Sequence, residues 1–253
     1  MKSVILYYFS GSGNTLKVAM HVKETFEKKG YTCAIKKMED VESVESKQLS
    51  AYEYVGLLFP VAIQSTFPLV WDFISGLPTM ENQKIFMIDT MEAFSGGVVG
   101  PVKKVLEKKG YHCMAALEVK MISSMRIKPV NNSEMNQKNN RALLESEKFI
   151  QDMLDGNCHW GRVPVLSDWM RDISINRKIW TKTSRQLNLN HEKCIKCKIC
   201  IKNCPTKALS MVDDKIAIDH TLCMSCMRCV HNCPKDAFLW KGQNVVRIKT
   251  TEA

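Results

Sequence analysis

The sequence predicts two units of different class. Residues 1–156 read as an α/β domain on a doubly wound, five-stranded parallel sheet, and residues 191–253 as a small α+β unit organised by metal. Residues 157–190 form a partly helical linker. Three observations carry this reading. Short apolar runs alternate with amphipathic stretches through the first unit, the pattern of strand–helix–strand crossovers. The first apolar run passes straight into Ser-Gly-Ser-Gly-Asn-Thr, residues 10–15, and then into a helical pattern. Eight of the eleven cysteines fall in two runs of identical spacing.

The elements follow in order. Residues 4–9 (VILYYF) make the first strand. Residues 14–29 make a helix with Leu16, Val18, Ala19, Val22 and Phe26 on one side, closed by two lysines and Gly30. Strands are expected at 31–36, 54–59, 84–89 and 112–119, and helices at 67–76, 98–109 and 133–155. The string EKKGY occurs twice, at the end of the first helix and of the 98–109 helix, marking the same kind of helix-to-strand junction. In the linker, Trp169, Ile173 and Ile179 fall at roughly helical spacing, which places a helix between the units. The linker holds three of the five tryptophans, Trp160, Trp169 and Trp180.

Ser10, Gly11, Ser12, Gly13, Asn14 and Thr15 combine hydroxyls, glycines and a helix N-terminus. Such a loop offers backbone N–H groups and a dipole to a phosphate. It is not a Walker loop, which requires Gly-Lys-Ser/Thr, and it fails the dinucleotide pattern because Leu16 stands where a third glycine belongs. A ligand of a doubly wound sheet sits at the carboxyl ends of its strands. The loops there are 60–66, with Pro60, Val61, Ala62 and Ile63, and 90–97, with Thr90, Met91, Glu92, Phe94 and Gly96. Residues 121–130 offer a third wall by position.

The cysteine runs read CIKCKICIKNCP from 194 and CMSCMRCVHNCP from 223, an offset of 29 residues. Zinc sites favour separated pairs or histidines. Three cysteines at gaps of two, then a fourth before proline, suit iron–sulfur cubanes whose fourth ligand comes from the other run. Cluster one then takes Cys194, Cys197, Cys200 and Cys233, and cluster two Cys223, Cys226, Cys229 and Cys204. Ala208 and Ala237, at equal distance after each Cys-Pro, are small where backbone crowds a cluster. His191 and His220 read as turn residues, and Cys33 and Cys113 as small buried hydrophobes.

Over about 50 residues the second unit resembles the bacterial two-[4Fe–4S] ferredoxins. The loop at 10–15 is similar to the phosphate loop of flavodoxins, and the strand pattern fits their flavodoxin-like order. The whole chain therefore resembles the flavodoxin–ferredoxin fusions of anaerobic bacteria and archaea. The resemblance implies FMN, its monophosphate in the 10–15 loop and its ring between the 60–66 and 90–97 loops, plus two [4Fe–4S] clusters. Those ring loops hold few aromatics, so one flavin face is left for the ferredoxin domain to cover.

The formal charge of +10 overstates the basic character. Two clusters with thiolate ligands bring it to roughly +6 and a phosphate ester to about +4. The lysines are dispersed, which speaks for a solvated surface rather than a nucleic-acid patch and leaves attraction for an acidic redox partner, a ferredoxin or an oxidoreductase. No run approaches the roughly 18 apolar residues of a membrane span. The run Val4 to Phe9 is too short for a signal sequence and has no small-residue cleavage site after it, so the chain reads as cytoplasmic. The cofactors that the resemblance implies point to an electron relay in anaerobic metabolism. The alternative is a substrate-specific FMN-dependent reductase fed by its own ferredoxin domain. No catalytic constellation and no nicotinamide fingerprint stands out, which favours the relay.

Overall fold

Six consecutive buried residues make β1, Ser3–Tyr8, a strand covered on both faces, as the centre of a parallel sheet must be. The computed structural model describes residues 2–94, 96–161, 170–172 and 174–248. Along the chain β1 is followed by α1 (Asn14–Lys28), β2 (Thr32–Lys37), a single 3-10 turn at Met38–Asp40, α2 (Ser46–Leu49), β3 (Tyr54–Ala62), β4 (Ser65–Thr66) and α3 (Pro68–Gly76). Then come β5 (Gln83–Met91), α4 (Val99–Lys108), β6 (Tyr111–Lys120) and α5 (Asn132–Leu154). The parallel order is β2-β1-β3-β5-β6, the flavodoxin-like order with its switch point between β1 and β3. α1 and α5 cover one face, over Val4, Leu6, Phe86 and Ile88. α3 and α4 cover the other, over Ile5, Tyr7, Leu57 and Met87.

The expected elements of the first unit form within a few residues of their expected bounds. Two differences bear on function. β3 runs past Phe59 to Ala62 and β5 past Asp89 to Met91, so Pro60–Ala62, Thr90 and Met91 belong to strands rather than loops. β3 extends because Ser65–Thr66 fold back antiparallel on Val61 and Ala62, through Ile63 and Gln64 at φ of 49° and 58°. Tight hairpin turns with positive φ normally announce themselves by Gly or Asn. This one is built without either, and the sequence hides it. The 3-10 turn and α2 are likewise unannounced.

α6 (Arg177–Ser184) lies in the linker. Ile179 is half-buried on it and Trp180 is buried, whereas Trp169 and Ile173 lie outside the described residues. After α6 come β7 (Leu187–Leu189), α7 (Ile199–Lys202), β8 (Leu209–Val212), β9 (Lys215–Ile218), α8 (Arg228–Asn232) and β10 (Phe238–Trp240). β7 pairs antiparallel with β10, and β8 with β9. Paired structure of the second unit thus begins at Leu187, ahead of His191. The cysteine repeat is also a backbone repeat. Left-handed residues recur at the 29-residue offset: Lys196 and Ser225, Lys198 and Met227, Lys207 and Asp236. A third apolar core of Leu187, Leu209, Ile216, Val230, Phe238 and Trp240 lies between the halves. Among the described residues no helix is long and apolar enough to cross a membrane.

The two EKKGY junctions differ in their surroundings. Gly30 and Gly110 both sit at φ +80°, yet a Cβ on Gly30 meets nothing within 4 Å and one on Gly110 would lie 2.0 Å from Met80 O. Gly30→Ala should cost roughly 1–2 kcal/mol, the left-handed penalty alone. Gly110→Ala should cost about 1–3 kcal/mol more for the overlap. Urea midpoints of the two variants test this; equal losses would show that the Met80 segment yields freely.

Candidate functional site

The carboxyl ends of β1, β3, β5 and β6 open into one cavity of about 280 Å³, near the lower end of the range for ligand pockets, roughly 300–1,000 Å³. Its floor is the loop after β1. Gly13, at φ 98°, precedes the first turn of α1, and its N–H donates to Ser10 Oγ at 3.1 Å. The Thr15 and Thr90 hydroxyls meet at 2.8 Å, tying that turn to the end of β5. Asn14 Nδ2 donates to Ile122 O at 2.7 Å, holding the segment after β6 against the loop. A helix N-terminus surrounded by small hydroxyl side chains results, suited to an anion.

Of the residues singled out in sequence, Ser10, Gly11, Ser12, Asn14, Thr15, Pro60–Ile63 and Thr90–Glu92 line the cavity. Gly13 is not among the lining residues. Phe94 is 56% exposed and outside the lining, so it is not core. Gly96 packs under Gln64, where a Cβ would come 2.6 Å from the carbonyl oxygen. Met121–Met125 form the third wall.

Five lining residues were not placed at the cavity from sequence, the first being Phe67, just ahead of α3. Trp180 and Thr183 come from α6, and Ser225 and Cys226 from the second cysteine run. Trp180 is buried against Phe67 with ring centroids 5.2 Å apart, and its indole N–H donates to Ser174 O. The linker spacing had pointed to a helix but not to which of its faces meets the cavity. Ser225 is buried at φ 54°, and its Oγ has no partner among the described residues.

The second unit is docked on the phosphate-type loop itself. Arg228 donates to Ser10 O through Nη2 at 2.8 Å and Nε at 3.2 Å, and pairs with Glu39 at 2.5 Å. Its guanidinium lies 5.3 Å from the Phe9 ring centroid. Gly11 is required here: a Cβ would fall 1.9 Å from Cys226 O. On the far side, His231 Nε2 donates to Ser124 O at 2.9 Å while Nδ1 accepts from the Ile248 N–H. Those two bonds define a neutral ring.

The eight cysteines surround two small voids. One is lined by Cys194, Cys197, Cys200 and Cys233, the other by Cys204, Cys223, Cys226 and Cys229. Each void draws three cysteines from one run and the fourth from the other. The Ala208 and Ala237 N–H groups point at Cys204 and Cys233 Sγ, at 3.3 and 3.4 Å, and both alanines are buried. His220, in the turn ahead of Cys223, meets Ser184 Oγ at the end of α6 through Nδ1 at 3.1 Å. Cys33 is buried as expected, whereas Cys113 is only half-buried; burial pushes both thiols up to about 12, which disfavours the reactive thiolate near neutral pH. The Cys158 thiol points at Phe149 O, 3.8 Å away.

Residues 193–237 match the family model described as a 4Fe-4S dicluster domain. No curated protein sequence matches the chain. Among solved structures, a short-chain flavodoxin associated with a PDU bacterial microcompartment is 11% identical, covering 62% of this chain and 99% of its own, with a TM-score of 0.46. The Megasphaera elsdenii flavodoxin is 18% identical over 57% of this chain and 98% of its own, with a TM-score of 0.41. Rubredoxin oxygen:oxidoreductase from Desulfovibrio gigas is 17% identical over 61% of this chain and 37% of its own, also with a TM-score of 0.41.

Beside the cavity, Asp89 is fully buried, and neither carboxyl oxygen has a partner among the described residues. Burial, with Glu118 on β6 second, holds its carboxyl well above the usual range. The folded chain therefore keeps a proton that the unfolded chain releases above about pH 4. Stability falls as pH rises from there toward the folded value, by up to about 1.4 kcal/mol per unit. Asp89→Asn removes that loss. Its advantage over wild type in urea unfolding should grow from pH 4 to pH 7, and parallel pH curves would contradict this.

Proposed function

We propose that the chain is an iron–sulfur flavoprotein that relays electrons between FMN in the strand-end cavity and two [4Fe–4S] clusters in the cysteine cages. One observation carries this reading: Ser225 and Cys226 line both the cavity and a cysteine cage, so the two sites share a wall. When bound, FMN exchanges electrons in pairs or singly while each cluster carries one, which lets a single chain convert between the two kinds of traffic.

The residues fit these groups. Ser10, Gly11, Ser12, Asn14 and Thr15 would hold the phosphate at the N-terminus of α1. Pro60–Ile63, Thr90–Glu92 and Met121–Met125 would enclose the ring, with Trp180 and the orphaned Ser225 hydroxyl closing the side that the aromatic-poor loops leave open. Cys194, Cys197, Cys200 and Cys233 would hold one cluster, and Cys204, Cys223, Cys226 and Cys229 the other. The alanine N–H groups aimed at Cys204 and Cys233 would stabilise those thiolates. The relay is favoured over substrate reduction because Glu92 and Cys226 are the titratable side chains that line the cavity, and Cys226 is taken as a ligand. The redox partner would be a protein, in keeping with the chain's residual positive charge.

Anaerobically purified protein should contain about eight iron, eight sulfide and one acid-releasable FMN. On rapid mixing with a reduced ferredoxin, cluster bleaching should precede a flavin phase whose rate is independent of protein concentration, since tethered carriers react within the chain. The Cys194→Ser, Cys223→Ser double variant should retain FMN and lose that phase. Flavin reduction at the wild-type rate in this variant would refute the relay.

A further inference from the structure

The two cysteine cages are not equivalent in their surroundings. The cage of Cys204, Cys223, Cys226 and Cys229 is pressed against the first unit. Cys226 and Met224 pack against the apolar core beneath the sheet. The Cys226 carbonyl fills the space above Gly11, and the adjoining Arg228 grips Ser10 O. The other cage shares no lining residue with the cavity. It faces solvent instead: Cys197 is exposed, and Ile195 and Ile199 on its rim are 55% and 39% exposed.

The rim is also basic. Lys198 and Lys235 line the outer cage, and Lys193 and Lys202 are exposed nearby in sequence. None of these four has an ion pair among the described residues. Lys196 is held by Asp214. From 191 to 207 the chain carries five lysines against one acid, Glu192. Exposed apolar side chains ringed by cations suit the docking of an oppositely charged protein surface.

We propose that the cages have different jobs. The cage of Cys204, Cys223, Cys226 and Cys229 serves the flavin through Cys226 and Ser225. The cage of Cys194, Cys197, Cys200 and Cys233 is the docking face for an acidic one-electron carrier protein. This rests on the flavin and cluster assignments above and adds direction to them. Each docked carrier would be oxidised by one electron, which a cluster held by the outer cage would accept and a cluster held by the inner cage would pass on. Two such events, with protons from water, would supply the two electrons that a bound flavin takes up.

The phosphorus of FMN supplies a probe that does not depend on turnover, because the loop assigned to it abuts Cys226. In ³¹P spectra, reduction of the clusters to their paramagnetic state should broaden the bound FMN signal. The broadening should persist in Cys197→Ser and disappear in Cys204→Ser, whose sulfur lines the inner cage but not the cavity. Persistence in Cys204→Ser with loss in Cys197→Ser overturns the assignment. Should Cys204→Ser fail to fold, Ser225→Ala provides the same test of the inner loop: FMN affinity by fluorescence titration should fall several-fold with iron content unchanged, and unaltered affinity counts against it. For the outer cage, the Lys193→Glu, Lys198→Glu double variant should slow the bimolecular phase with a reduced acidic ferredoxin about tenfold at low salt. The difference should shrink at high salt, with the flavin phase unaffected; an unchanged bimolecular phase removes the docking face. A protein that binds neither flavin nor clusters fails the earlier reading too, whereas one that binds both but broadens through the wrong cage fails only this inference.

Discussion

The arrangement depends on Arg228. One guanidinium reaches from the first turn of α8 to the backbone oxygen of Ser10, to the Glu39 carboxylate and over the face of Phe9. All three partners belong to the α/β unit, and Ser10 opens the loop built for an anion. A planar fork of donors can satisfy a carbonyl and a carboxylate at once while its face rests on an aromatic ring, which a lysine cannot do. The Arg228 and Glu39 side chains are only 14% and 6% exposed. Breaking such a pair from one side strands a buried charge at a cost of about 3–5 kcal/mol. The contact therefore holds one relative position of the two units and not a range of them.

From that position the rest of the interface follows. With Arg228 seated, the preceding loop places the Cys226 carbonyl above Gly11, a fit that only a residue without a side chain allows. Ser225, held in the left-handed region, turns its hydroxyl inward. The segment after β6 closes from the other side, where Ser124 receives the His231 N–H and Arg126 O accepts from Val246. α6 supplies Trp180 as the last wall. Three segments distant in sequence thus complete a cavity that the strand ends alone leave open.

Much of this was legible in the chain. Buried parallel strands need apolar residues on both faces, so VILYYF, YVGLLF and KIFMID announced the centre of the sheet. Small polar residues between a strand and a helix announced the anion loop. The cysteine spacing, twice repeated, announced the cages. The hairpin at Ile63 and Gln64 was hidden because its positive-φ positions carry neither Gly nor Asn. Phe94 drew notice as the only aromatic in its loop, yet it lies exposed.

The amino-acid sequence by itself determined the strand order's raw material, the phosphate-type loop and the grouping of cysteines, because each is encoded by neighbours along the chain: a period, a turn composition, a gap. Tertiary structure alone decided which cysteine cage adjoins the cavity, that Trp180 and Ser225 complete it, and that Asp89 is buried without a partner. Those outcomes depend on how surfaces far apart in the chain meet, about 30 residues for the strands flanking Asp89 and more than 100 for the contacts of Trp180 and the second cysteine run. Such meetings are set by shape and by single contacts like that of Arg228 with Ser10, which leave no period or spacing behind.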